Sequence, residues 1–228
     1  PPPPPTFPAE DGIRESVNGI VGSEMCLRDS GTFLLWLGWF WFYGGSQLAM
    51  GTISDVTDVS RIFANTNTAA AGGAVAALVL TQLLYKKVDL TMVLNGALAG
   101  LVSITAEPLA PSLTTATLIG AVGGVIVVFT VPMLDRFKID DVVGAIPVHL
   151  FAGLWGTFIV ALTNSDANYG TQLLGFFSIG IFVFVVSLVV FGLIKATIGL
   201  RVSEEAEVNG LDVDELGMEA YPEFARSS

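Results

Sequence analysis

The sequence predicts an all-α fold, a polytopic membrane bundle of about six transmembrane helices. Three observations predict it. Hydrophobic residues make up 52% of the 228 positions and charged residues only 14%, where a soluble domain carries about 25% charge; the mean hydropathy is +0.69. Apolar stretches near the ~20 residues that cross a hydrocarbon core recur along the chain. Glycine is abundant, at 25 residues, as expected where helices pack closely in lipid.

The chain divides into three regions. Residues 1–30, rich in proline at the start, lack apolar periodicity and change character abruptly at Gly31. They read as a non-native, adapter-like and disordered leader, so that the gene is expected to be cut off upstream. Residues 31–200 form the transmembrane helix bundle. Residues 201–228 hold two basic and eight acidic side chains and form an acidic tail. The net charge of −11 therefore belongs to the ends, and nothing in it suggests a nucleic-acid partner.

Within the bundle the spans fall at about 31–50, 62–85, 88–106, 114–134, 141–163 and 170–199. Lys86 and Lys87 follow the second, Arg136 and Lys138 the fourth, and Lys195 closes the sixth; Arg61 alone stands near the opposite ends, with Asp55, Asp58, Glu107 and Asp166. The basic loops and the C-terminus are thus expected in the cytoplasm. Gly72–Gly73, Gly96 with Gly100 and Gly120 with Gly124 mark close helix contacts.

In the first span Leu35, Trp39, Phe42 and Ser46 form one continuous stripe. Aromatic faces attract a small cation by about 0.5–2 kcal/mol per favourable contact, and a hydroxyl one turn further accepts a hydrogen bond from it. The same residues also suit an interfacial aromatic belt. Asn65, Thr66, Asn67 and Asn95 lie in the second and third spans, where such side chains usually bond other helices.

The only histidine, His149, lies in the fifth span in AIPVHLFAGLWG. An ionisable group at that depth is expensive and points to function. Pro147 cannot donate to the Val143 carbonyl, so a bend or an exposed oxygen is expected there. Ala145, Gly153 and Gly156 share the histidine's face and leave volume beside the ring. Two roles suit the residue: a ring beside a path for a small polar substrate, or a packed histidine bonded to a neighbouring carbonyl. Asp140 and Asp141 begin this span, where a helix N-terminus stabilises negative charge.

Other chemistry finds little support. There is no phosphate loop, nucleophile elbow or metal-spaced His/Cys cluster, and Cys26 is the sole cysteine. No enzyme and no cofactor are expected.

The stretches LGWFWFYGGSQLAM, RIFANTNTAAAGG, VLNGALAGLVSITA, KIDDVVGAIPVHLFAGLWGT and IGLRVSEEAEVNGLDVDELGMEAYPEF, in this order, resemble the ammonium transporter family (Amt/Mep/Rh). The resemblance implies eleven spans in two inverted halves, a homotrimer with one pore per subunit, and a multi-pass place in the plasma (inner) membrane. The six spans here would be the sixth to the eleventh. Phe42 then matches an aromatic gate and Ser46 the outer ammonium site. Leu35 and Trp39 line or support the conduit, and His149 is the second of twin histidines. A P-II-type regulatory protein would meet the cytosolic tail. Trp41 and Tyr43 depart from a family pattern like GWFGFN, so two bulky rings must be accommodated behind the gate. The partner histidine belongs to the other half, so this polypeptide alone is expected to conduct little or nothing. An ammonium-sensing receptor and a structural scaffold are the competing functions.

Overall fold

The computed structural model describes residues 20–218, with side chains from Arg28 onward. The leader up to residue 19, the Cys26 side chain and the tail beyond Met218 lie outside the described residues. The described part is helical and holds no strand. The helices are α1 (Ile20–Ser46), α2 (Ile53–Tyr85), α3 (Leu90–Ile104), α4 (Leu113–Arg136), α5 (Ala152–Thr163), α6 (Tyr169–Thr197), α7 (Glu204–Asn209) and α8 (Leu211–Leu216). A single wide π-helical turn, Ile146–Phe151, leads into α5.

All six expected spans are helical, but they are not equivalent. Four are long and apolar enough to cross a membrane: α2, α4, the continuous helix Ile146–Thr163, and α6. The 15 residues of α3 reach only about 22 Å at 1.5 Å per residue, short of a ~30 Å hydrocarbon core. In α1 the apolar residues are diluted by glycine, serine and tryptophan. Its helix begins at Ile20, so residues 20–30 continue it toward the N-terminus.

Local signals explain the remaining boundaries. A capping box, in which Thr52 accepts from the Asp55 N–H and Asp55 from the Thr52 N–H, starts α2 nine residues before its apolar run. Asp89, Ser112 and Asn168 cap α3, α4 and α6 in the same sense. The fifth span starts later than hydropathy suggests, because Gly144 takes a φ of +77° and ends the preceding turn.

The interior is a slab of α2, α3 and α4 held by small residues. Gly120 lies on the Ala69 backbone and Gly124 on that of Gly73, so α2 and α4 advance together. Gly96 faces Gly73 and Ala77, and Gly100 faces Ala69 and Ala70, so α3 runs the other way. Any Cβ at these glycines would overlap backbone atoms, which explains the glycine count in packing terms. Against α3, α5 runs parallel, with Val143 beside Asn95 and Gly156 on Ser103. So does α1, with Arg28 Nη1 3.3 Å from Thr91 Oγ1 and Tyr43 beside Leu101. Up–down alternation thus gathers Lys86, Lys87, Arg136 and Lys138 at one end of the bundle.

At the opposite end the loops are tied to the helices. Asn65, fully buried, donates from Nδ2 to the Pro108 and Pro111 carbonyls at 2.9 and 2.8 Å. Glu107 accepts from the Leu109 and Ala110 N–H groups and from Asn164 Nδ2 at 2.9 Å. In α6, no residue is buried, and its one substantial neighbour is α5. The described tail forms α7 and α8, which pack on each other, with an exposed Arg201–Glu207 ion pair of 3.3 Å.

Candidate functional site

Three elements meet around a cavity of about 290 Å³: α1, α3 and the turn that leads into α5. Leu35 comes from the first, Asn95 and Leu98 from the second, and Ala145, Val148 and His149 from the third. The walls are mainly apolar, and the space is open on one side. Three of the sequence-chosen residues, Leu35, Ala145 and His149, are thus brought to one place.

The local sequence dictates the shape of the third wall. The Asp141 carboxylate accepts from the Ala145 and Ile146 N–H groups at 2.8 and 2.7 Å, satisfying donors that every helix leaves open at its start. This is the anchoring expected of it. Pro147, buried, brings no N–H, and the helix widens there into the π-helical turn. His149 sits on that turn. Its ring is exposed, and no described residue hydrogen-bonds it. Gly153 and Gly156 on the same face abut α3, Gly153 near Val102 and Gly156 against Ser103. Their small size therefore serves the helix contact, while Ala145 borders the cavity.

The other predicted residues stand along α1. Phe42 is 66% exposed, its ring 5.7 Å from that of Tyr43 between centroids. Ser46 is exposed and donates from Oγ to the Phe42 carbonyl at 2.8 Å, which leaves its oxygen free to accept. At 1.5 Å per residue, Phe42 and Ser46 lie about 10 and 16 Å beyond Leu35 toward the end that carries Glu107 and Asp166. Trp39 is placed differently. Its ring packs against both apolar clusters of the interior, and its Nε1 donates to the Tyr43 hydroxyl.

The two rings that depart from the family pattern find separate solutions. Tyr43 is 3% exposed; its hydroxyl donates to the Leu101 carbonyl at 3.0 Å and meets Thr105 Oγ1. It fastens α1 to α3. Trp41 points away from the bundle, 72% exposed.

Asn95 is the cavity residue that sequence reasoning left among ordinary helix contacts. Its Nδ2 donates to the Val143 carbonyl at 3.1 Å, an oxygen that lies just before the wide turn and has no backbone donor. An asparagine in an apolar span with an unserved carbonyl nearby in the bundle was the available signal. Arg28 and Thr91 also border the cavity; the first fell within the excluded leader.

The charge nearest the cavity is the Arg28 guanidinium, whose Nη1 lies 3.3 Å from Thr91 Oγ1. Among the described residues, no group of three or more His, Cys, Asp or Glu side chains is arranged to hold a metal. A mainly apolar cavity bordered by the His149 imidazole, the Asn95 amide, the Thr32 and Thr91 hydroxyls and the Arg28 guanidinium suits a small neutral polar molecule better than a cation, and an exposed aromatic ring with a free hydroxyl oxygen suits a small cation.

The sequence profile of the Ammonium Transporter Family matches residues 11–221. The chain is 39% identical to the ammonium transporter Amt2 of Archaeoglobus fulgidus, over 90% of this chain and 47% of that protein. It is 36% identical to Amt1 of Haloferax mediterranei, over 92% of this chain and 43% of that one. The chain thus spans about half the length of the curated relatives it matches. A solved structure described as a sensor Amt protein superposes with a TM-score of 0.74 at 33% identity, over 84% of this chain and 49% of that one. Candida albicans Mep2, at 24% identity and a TM-score of 0.69, agrees in fold over 88% of this chain. Families of transporters, not of enzymes, are where these likenesses lie: the chain belongs to the Ammonium Transporter Family.

Proposed function

We propose that the chain supplies the His149-bearing half of a transmembrane path for ammonium or ammonia. The observation that carries this is the single cavity that gathers Leu35, Ala145 and His149 beside a stripe ending in Phe42 and Ser46. Ammonium is recruited outside by the face of Phe42 and the Ser46 oxygen. It sheds its proton before the apolar stretch, because a bare charge there is costly. Neutral ammonia then passes the imidazole, which is placed to hand the proton on. Potassium has no proton to shed and is excluded. Trp39 supports this path from behind, through Tyr43.

The basic ends of α2 and α4 support a cytosolic C-terminus in the plasma (inner) membrane. In the complete protein we place three subunits together, each with its own path, serving nitrogen metabolism. The short tail helices α7 and α8 are the element that a P-II-type regulator would meet.

The test is uptake of labelled methylammonium into vesicles. The chain as it stands is expected to give little uptake. The chain preceded by the N-terminal half of Archaeoglobus fulgidus Amt2 is expected to transport, and His149→Ala or Phe42→Ala to lower its rate about tenfold, equivalent to about 1.4 kcal/mol. Unchanged flux in both variants would remove the proposed path. The likeness to a sensor Amt protein favours a second reading, ammonium sensing. Saturable ammonium binding without flux in the chimera would select it; a scaffold would show neither.

A further inference from the structure

Pro147 stands four residues after Val143, and a proline has no N–H to give. Val143 itself lies just before the turn: Gly144, at a φ of +77°, breaks the run. The first helical bond of the turn that carries His149 goes from the Val148 N–H to the Gly144 carbonyl at 3.1 Å, which leaves the Val143 carbonyl without a backbone donor. An unserved backbone carbonyl is costly in an apolar setting, so a donor must come from elsewhere. It comes from α3. Asn95, 8% exposed, donates from Nδ2 to that oxygen at 3.1 Å. Gly144 permits the approach: a Cβ built there would lie 2.7 Å from Asn95 Nδ2. On the side of the preceding loop, Asp141 holds the Ala145 and Ile146 N–H groups. The turn Ile146–Phe151 is thus pinned from its own strand of chain and from a neighbouring helix.

We infer that Asn95 is a positioning residue for His149. Its amide holds the Val143 carbonyl immediately before the wide turn, fixes where that turn begins, and so sets the direction in which the imidazole meets the cavity. Asn95, Ala145 and His149 border the same space, so a shift of the turn changes the cavity and the ring together. The inference rests on the proposed role of His149 only for its effect on flux. The ring's placement is a property of the chain itself.

The chain has one histidine, so labelling the imidazole nitrogens gives a single probe by magnetic resonance in lipid nanodiscs. The wild-type chain is expected to show one set of imidazole signals. Asn95→Asp keeps the side chain's shape but removes the donor, and is expected to split or shift that set. Gly144→Ala drives the amide off the carbonyl and is expected to do the same, which keeps the test intact should the first variant fail to fold. Asn164→Ala, at the far end of α5, is expected to leave the signals unchanged. Wild-type signals in both Asn95→Asp and Gly144→Ala would overturn the inference, as would an equal change in Asn164→Ala. In the vesicle assay, lost signals with unchanged flux would count against the proposed path and leave the positioning role standing.

Discussion

Two side chains illustrate how single residues settle where α1 lies. Tyr43 has a hydroxyl that a buried site must satisfy, and Leu101 and Thr105 of α3 satisfy it while Trp39 donates to the same oxygen. Tyr43→Phe removes the shared partner of all three. A loss of about 1–3 kcal/mol follows from stranding the Trp39 donor and losing the tyrosine's own bond. Titration of the folded chain with denaturing detergent measures it, and an unchanged midpoint would mean that the tyrosine only fills space. Ser46 behaves in the opposite way. Its hydroxyl proton is occupied by the Phe42 carbonyl, which tells against a role as donor and leaves acceptance as its available contact with a cation. That distinction lay beyond sequence, which placed Ser46 on the stripe but not the direction of its proton. Trp39 was on the same stripe and turned inward, because a tryptophan beside a tyrosine one turn away finds a partner for its N–H more cheaply in the core.

At the scale of helices, glycine has two distinct uses here, and they predict opposite responses. Gly120 sits on the Ala69 backbone, whereas Gly180 of α6 has nothing within 4 Å of a built Cβ. Gly120→Ala must part α2 from α4 and is expected to destabilise by about 1–3 kcal/mol. Gly180→Ala is expected to be neutral or to stabilise by up to about 1 kcal/mol through helix propensity. Thermal unfolding of both variants in detergent measures the difference, and equal behaviour would refute the packing account. The six helices were legible because apolar runs and glycine spacing are one-dimensional signals. The ends were less so. The first nine residues of α2 mix Asp55, Asp58 and Arg61 with apolar side chains, and a hydropathy window passes over them although Thr52 and Asp55 already spell a capping box. The partner of Asn95 was legible only as a class of contact, since which carbonyl it meets depends on α3 and α5 running side by side.

For the whole molecule, the alternation of helix directions collects the basic loop residues at one end and Glu107 and Asp166 at the other. On the proposed orientation, protease added to sealed right-side-out vesicles is expected to spare α7 and α8 and to cut there after permeabilisation; cutting before permeabilisation would invert that orientation. The exposed length of α6 is consistent with a surface meant for lipid or for other parts of a larger assembly. The cavity itself depends on α3 more than on either of its other walls. Tyr43 moors α1 to the far half of α3, and Asn95 moors the histidine turn to its near half. One short helix therefore acts as the common ruler for both banks. Adding a single residue between Asn95 and Leu101 would rotate one mooring by about 100° relative to the other, leaving each helix intact but the two banks no longer facing each other.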